Sequence, residues 1–258
     1  MLREVHLLWR KRQVLKELTV SNLKGKYSGS ILGIFWAILY PLLIMGAITV
    51  IFTIVLGIEV HHFPLFVLSA ILPWIFFSNS LSEASYSFID KASVLRQFSL
   101  PKESIPLSTL GANFLNFLIG LGALLPVFIL FNPEILPFIA LLPVVLVLHL
   151  LFTSGLCLLL SWSSILFPDL RHLLSVGLML WFWMTPIFYS VEMVPEKFRG
   201  LVYMNPMTSY IVLYRRVLFE GKVGDLKVYS LGIIFSLLSL FVGYLSFLKK
   251  KERIFKKL

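Results

Sequence analysis

The sequence predicts an all-α integral membrane protein with six transmembrane helices, and three observations carry that prediction. Hydrophobic residues make up 58% of the 258 and charged residues 14%, against about 25% charged in an ordinary soluble domain; mean hydropathy is +0.89. So few charges cannot clothe the surface of a water-soluble domain of this length. Six long apolar runs occur, at residues 31–58, 63–82, 105–133, 135–168, 173–191 and 228–248, and each is near the roughly 20 residues that a helix needs to cross a bilayer. They are continuously apolar rather than alternating in segments of about 10 residues, which excludes an outer-membrane barrel. Finally, the basic residues are segregated along the chain as the positive-inside rule requires.

The first element is residues 1–30. Leu2, Val5, Leu8, Trp9 and Leu15 fall on one broad helical face, which reads as an amphipathic helix lying in the cytoplasmic interface. Arg12 and Lys16 share that face and would snorkel toward the headgroups; a merely topogenic basic tail is the alternative. No cleavable signal peptide is expected, because the first apolar run begins at Ile31 and is too long for a signal's apolar core. Residues 31–248 form one membrane domain, and residues 249–258 a basic cytoplasmic tail, with no internal repeat and no second domain.

Seven basic residues precede the first span (Arg3, Arg10, Lys11, Arg12, Lys16, Lys24, Lys26) and six follow the last (Lys249, Lys250, Lys251, Arg253, Lys256, Lys257). Lys91, Arg96 and Lys102 lie between spans two and three, and Arg171 between four and five. The connections after spans one and three hold no Lys or Arg. Both termini are therefore expected in the cytoplasm. The connection at 192–227 is then external, and its stretch 201–214 is uncharged but too short to span. Interrupted by Asn205-Pro206, it reads as a re-entrant hairpin of two short helices, the second ending with Arg215 and Arg216 near the aqueous face. A solvated loop with a hydrophobic patch is the alternative.

Little in the chain can do chemistry of its own. The only Gly-Lys pairs, Gly25-Lys26-Tyr27 and Gly221-Lys222-Val223, lack the remainder of a nucleotide-binding P-loop, so any work done by ATP falls to another polypeptide. Glu59, His61 and His62 offer no third well-spaced metal ligand, and no metal site is expected. His149 lies inside the fourth run, either hydrogen-bonded to a neighbouring helix or part of a proton relay. The runs hold no mid-membrane Asp, Glu, Lys or Arg, which argues against coupling to an ion gradient. Glu83, Asp90, Asp169-Arg171-His172, Glu192 and Glu196 make no recognisable acid–base pair. Cys157, the single cysteine, sits in an apolar run and reads as packing. Gly120-Leu121-Gly122 reads as a close helix approach. Aromatic residues are abundant, at 15% of the chain. Phe35, Trp36, Tyr40, Trp181, Trp183 and Tyr189 lie within or at the ends of spans one and five. Such rings suit the C–H faces and hydroxyls of sugars, and equally suit helix packing or an interfacial belt.

The order of local patterns resembles ABC-2-type permeases that export polysaccharides. It comprises Leu23-Lys24-Gly25-Lys26-Tyr27-Ser28-Gly29-Ser30-Ile31-Leu32-Gly33-Ile34-Phe35-Trp36 with Tyr40-Pro41-Leu42, then Leu72-Pro73-Trp74-Ile75-Phe76-Phe77. Phe98-Ser99-Leu100-Pro101 with Ile105-Pro106, Thr185-Pro186-Ile187-Phe188-Tyr189, and Asn205-Pro206-Met207 with Tyr214-Arg215 follow in turn. Together they cover nearly the whole chain, and within the family they look most like the O-antigen exporter permeases of the Wzm type. Pro168-Asp169 departs from the Arg-Asp that many members carry before span five.

The resemblance implies a permease subunit, not an enzyme, of a bacterial inner-membrane ABC exporter. It further implies six spans per subunit, a homodimer, and two copies of a separate ATP-binding subunit that hold ATP and Mg, with no cofactor in this chain. The cargo implied is a lipid-linked polysaccharide of the O-antigen type moved outward, and no nucleic acid. Phe35, Trp36, Tyr40, Trp181, Trp183 and Tyr189 would line the channel at the dimer axis. Val94, Leu95, Arg96, Gln97 and Phe98 would form the loop that couples to the ATPase. Arg10, Lys11, Arg12, Lys24 and Lys26 would receive the lipid and its pyrophosphate, and Asn205, Pro206, Tyr210 and Arg215 would form the outer gate. A permease for teichoic acid, a drug or another lipid is a same-fold alternative. An integral membrane transferase acting on lipid-linked sugars is the alternative from another class.

Overall fold

The structure, a computed structural model, describes residues 11–57, 61–97, 100–167 and 169–255. The described residues contain helices and no strand. In lipid this is the expected outcome, because a helix satisfies its backbone hydrogen bonds within one segment. The order is α1 (Arg12–Tyr27), α2 (Gly33–Val55, opening with a 3-10 turn and closing with a π turn), α3 (Phe63–Asp90) and α4 (Ala92–Gln97). Next come α5 (Ser104–Phe131), α6 (Pro133–Leu166, its first turns 3-10), α7 (Leu170–Met184), α8 (Glu196–Met204), α9 (Pro206–Arg215) and α10 (Leu226–Phe255).

Five of these, α2, α3, α5, α6 and the Leu226–Lys250 part of α10, are long and apolar enough to cross a membrane. The fifth apolar run of the sequence, 173–191, is shorter as a helix than as a run. α7 has 15 residues, or about 22 Å at ~1.5 Å per residue, against a hydrocarbon core of about 30 Å. Its end is set by Thr185, whose backbone is extended at φ −95°, ψ 137° ahead of Pro186, the conformation a residue before proline prefers. The stretch 201–214 forms two short helices that meet at Asn205-Pro206, with Pro206 opening α9, where its missing N–H costs nothing.

α3 is the hub of the bundle. It packs against α2, α5, α6, α7 and α9, so that Phe66, Leu68, Ile71, Phe76, Phe77 and Leu81 are all buried. α2 is its opposite: among its residues only Ala37 and Pro41 are buried, and Phe35, Tyr40, Leu43 and Ile54 are exposed.

The tightest crossing joins α6 to α10. A Cβ built on Gly243 would lie 1.9 Å from the carbonyl oxygen of Gly155, and one on Gly155 would lie 2.2 Å from that of Ser239. Only glycine permits the two backbones to approach so closely. The contact is then tied by side chains, since Ser236 Oγ donates to Leu148 O and Ser239 Oγ to Phe152 O, each at 2.7 Å. In the Gly120-Leu121-Gly122 segment only the first glycine makes a close approach. Its Cβ would meet Ala37 O of α2 at 2.8 Å, whereas Gly122 faces open space.

α1 lies along α5. A Cβ on Gly111 of α5 would touch Thr19 of α1 at 3.0 Å, and Asn22 Nδ2 donates to Ser108 Oγ at 3.1 Å. Of the five residues expected on its apolar face only Leu15 is described; Leu2, Val5, Leu8 and Trp9 lie outside the described residues.

Candidate functional site

Two clusters gather most of the described residues singled out in the sequence. The first is a cavity of about 280 Å³ between the C-terminal end of α1, α2, α3 and α5. Trp36 and Tyr40 line it, as do Lys26, Tyr27, Asn79, Asn113 and Asn116, with Leu72, Ile75, Phe76 and Phe117 supplying apolar wall.

Lys26 is expected from the sequence to attract an anion, but its charge is already engaged. Its ammonium donates to Glu83 Oε1 at 2.5 Å and to Asn113 Oδ1 at 2.9 Å, while Asn113 Nδ2 donates to Glu83 Oε2 at 2.9 Å. This three-membered clasp ties α1 to α3 and α5. The Tyr27 hydroxyl, donating to Asn116 Oδ1, adds a second tie; burial raises its pKa above the ordinary value, with the Glu83 charge acting in the same direction. Lys91 donates to Asn22 Oδ1, and burial lowers the pKa of its ammonium. Lys24 is exposed on α1, Lys11 and Arg12 lie at the start of that helix, and Arg10 lies outside the described residues.

The second cluster is where α7 ends and α9 begins. Trp181 Nε1 donates to Asn205 Oδ1 at 2.7 Å, and the same oxygen accepts Met207 N at 3.0 Å, capping α9. Asn205 Nδ2 donates to Thr185 Oγ1 at 3.0 Å and to Met184 O at 3.3 Å. Asparagine is among the preferred N-cap residues, and Pro206 after it fixes the first helical φ. Trp181 also sets its edge against Phe77 at 5.1 Å between centroids. Trp181→Phe keeps that aromatic contact and deletes the N–H. It is expected to cost about 1 kcal/mol, read as an earlier midpoint in denaturant titration of the detergent-solubilised chain.

Arg215 is not near an aqueous face, as the sequence led one to expect, but 3% exposed. Its guanidinium donates to the carbonyls of Pro186 (2.9 Å), Ile187 (3.0 Å) and Tyr189 (3.2 Å) and lies 3.7 Å from the Phe66 ring centre. A buried charge needs partners of this kind, and here it fixes the irregular turn after α7. Arg216 does reach a polar rim, where Glu192 (3.6 Å), Asp225 (3.8 Å) and Glu220 surround it. Tyr210 is a core residue: it is fully buried and its hydroxyl donates to Gly232 O at 2.9 Å.

The remaining expectations divide by exposure. Phe35 and Trp183 are exposed, and Tyr189 is half-buried. Trp183 packs edge-on to Phe188 at 5.2 Å. Leu95 of α4 is buried among Phe88, Ile105, Leu158 and Phe247, anchoring that helix to the bundle. The side chains of Val94, Arg96 and Gln97, and Phe98 entirely, lie outside the described residues. His149 is fully buried, with Tyr210 stacked on it at 5.1 Å and Phe76 edge-on at 5.1 Å. Neither ring nitrogen has a hydrogen-bond partner among the described residues, so aromatic enclosure replaces the expected hydrogen bond to a neighbouring helix. Cys157 is buried and donates to Ser80 O at 3.4 Å, a packing role. His61 and His62 hold their rings 3.9 Å apart, and among the described residues no three His, Cys, Asp or Glu are grouped to hold a metal.

Sequence reasoning passed over Asn79, Asn113 and Asn116. The available signal was their position: uncommon polar amides inside apolar helices, the last two on one face of α5 at a spacing of three.

Residues 9–219 match the family described as ABC-2 type transporter. The chain belongs to that family. Its relatives include O-antigen export system permease proteins RfbA. The protein from Myxococcus xanthus is 32% identical over 227 residues, 87% of each chain, and one from Klebsiella pneumoniae 30% identical over 241, 93% of each. The polysialic acid transport protein KpsM of Escherichia coli is 22% identical over 253 residues, 92% of this chain and 93% of its own. As an ABC-2 transporter subunit with five helices long enough to cross a bilayer, the chain is a multi-pass membrane permease.

Proposed function

We propose that this chain is the permease subunit of an ATP-driven exporter that moves a lipid-linked polysaccharide of the O-antigen type from the cytoplasm outward across the bacterial inner membrane. Two copies form the channel and two copies of a separate ATP-binding subunit, which hold ATP and Mg, drive it. The observation that carries this reading is the match over most of the chain to permeases named for O-antigen export.

The distribution of partners within the fold supports the dimer. α2 and α7 expose Phe35, Trp36, Tyr40 and Trp183 together with Leu43, Val176, Met179 and Leu180. A second copy would set these faces across a shared axis, giving a lining of aromatic rings that grips every sugar similarly and traps none. α7 with the turn after it makes the sixth crossing, so both termini are cytoplasmic, as the basic residues require. α1 lies in the cytoplasmic interface, with Arg10, Lys11, Arg12 and Lys24 facing anionic headgroups or the cargo's pyrophosphate. α8 and α9 dip into the outer leaflet as a re-entrant gate around Asn205-Pro206. The segment of Val94, Leu95, Arg96, Gln97 and Phe98, anchored to the bundle through Leu95, is the part of the chain that couples to a groove of the ATPase.

Purification from native membranes in mild detergent tests the reading. A stoichiometric Walker-type ATPase that copurifies and hydrolyses ATP, with loss of surface polysaccharide when this chain is deleted, is the expected result. A chain without a partner, in cells whose surface glycan is unchanged by the deletion, would overturn it. Arg96→Ala with Phe98→Ala is expected to reduce export about tenfold or more, if a coupling contact worth over about 1.4 kcal/mol is lost, without altering membrane abundance. Wild-type export from that variant would remove α4 from the coupling role.

A further inference from the structure

The cavity behind α2 combines features that helix packing does not explain. Asn79 and Asn113 and Asn116 belong to helices long enough to cross the membrane, where an amide without a hydrogen-bond partner is costly. Asn113 is satisfied by the clasp with Lys26 and Glu83. Asn79 has no partner among the described residues, and Asn116 spends only its oxygen, on Tyr27. Both amides line the cavity alongside the half-exposed rings of Trp36 and Tyr40. Two unspent amides beside two aromatic rings with polar tips form a lining for a ligand with hydroxyls at its edge and C–H at its faces.

Charge and size narrow the ligand further. Among the described residues that line the cavity the one cation is Lys26, which is 2.5 Å from Glu83. An anion would therefore meet a spent ammonium and an adjacent carboxylate. A volume of about 280 Å³ is room for ~9 waters at ~30 Å³ each. It lies just below the ~300–1,000 Å³ typical of small-molecule sites, which suits a single ring and not a length of polymer. Gly120, where a Cβ would strike Ala37 O at 2.8 Å, brings α2 close against α5 and closes the recess at its apolar end.

We infer that this recess binds one neutral sugar ring, stacked against Trp36 and Tyr40 and hydrogen-bonded by Asn79 and Asn116. For the source of that sugar the inference rests on the glycan-export reading; the site lies within one subunit, between α1, α2, α3 and α5. Lys26, Glu83 and Asn113 act as positioning residues that hold α1 over its mouth.

A diazirine-bearing octyl glucoside, photolysed with the whole permease in phosphatidylcholine nanodiscs and mapped by mass spectrometry, tests it. Labelling is expected on the segments 36–40 and 75–79 and to be displaced by methyl glucoside but not by glycerol phosphate. Asn79→Leu combined with Asn116→Leu should cut it about tenfold, for the loss of two hydrogen bonds. Asn79→Gln, which keeps an amide, should retain most of it, and equal thermal unfolding midpoints of the variants exclude a general loss of fold. Labelling that survives the double leucine variant, that is absent from these segments, or that glycerol phosphate displaces as well as the glucoside does would overturn the site. The two readings fail separately. Sugar-specific labelling of the recess, in a chain whose deletion leaves surface glycan unchanged, removes the export reading alone; deletion that abolishes export, with no labelling here, removes the recess alone.

Discussion

Gly243→Leu is expected to prevent the chain from accumulating in a folded form, the largest effect of any single substitution anticipated from this structure. Even a methyl at this position would stand 1.9 Å from Gly155 O and 2.6 Å from Gly155 C. Those are backbone atoms of a facing helix and cannot swing aside as a side chain can. α6 and α10 must separate, and with them go the Ser236–Leu148 and Ser239–Phe152 hydrogen bonds. Replacing glycine within a helix contributes about 1 kcal/mol in favour of the variant. Overpacking a close-packed contact costs about 1–3 kcal/mol when side chains can adjust, and intramembrane hydrogen bonds are worth about 0.6 kcal/mol each on average. With backbone against backbone the unfavourable side wins. Gly243→Ala is accordingly expected to destabilise by about 2–4 kcal/mol, whereas Gly122→Ala, facing open space, should be neutral or stabilising by up to about 1 kcal/mol. Thermal unfolding in detergent, followed by gel-filtration profile, separates them; a Gly243→Ala protein as stable as Gly122→Ala would show that the helices do not cross here.

Arg215→Met comes second. It keeps a long apolar stem over Phe66 but removes the donors to Pro186, Ile187 and Tyr189. Hydrogen bonds to a charged group contribute about 1.5–3 kcal/mol each, less than additively, and three carbonyls are left inside the bundle without donors. A loss of about 3–5 kcal/mol is expected, together with easier proteolysis at the turn after α7. Arg215→Lys should recover only part, because an ammonium reaches as a point and cannot reproduce the planar fork. Stability of Arg215→Met equal to that of the parent chain would deny the turn its dependence on this side chain.

Both residues show where the sequence is informative and where it is silent. Apolar run length located α2, α5, α6 and the membrane part of α10 within a few residues, because membrane helices announce themselves by uninterrupted hydropathy alone; α3 continues eight residues past its run, to Asp90. The run at 173–191 misled, since hydropathy continues through Thr185-Pro186 while the helix does not. Gly155 and Gly243 are 88 residues apart, and nothing local pairs them. Arg215 reads as a rim charge because its neighbour Arg216 is one; its burial depends on three carbonyls that exist only once the turn is formed. Lys26 reads as a free cation until folding places Glu83 against it. Composition thus reports what crosses the membrane, and the polar interior is decided by which distant groups meet.

The Asn205 side chain joins Trp181, Thr185, Met184 and the first turn of α9 at one point, and Arg215 ties the far end of α9 to the same turn. Two anchors along one short helix remove its freedom both to slide and to rotate relative to α7. These elements therefore count mechanically as one body with a single set of rigid motions. A hinge at the Asn205-Pro206 bend would require breaking the cap. Any movement of α9 must also disturb its packing on α3 and α10, including the Tyr210–Gly232 hydrogen bond.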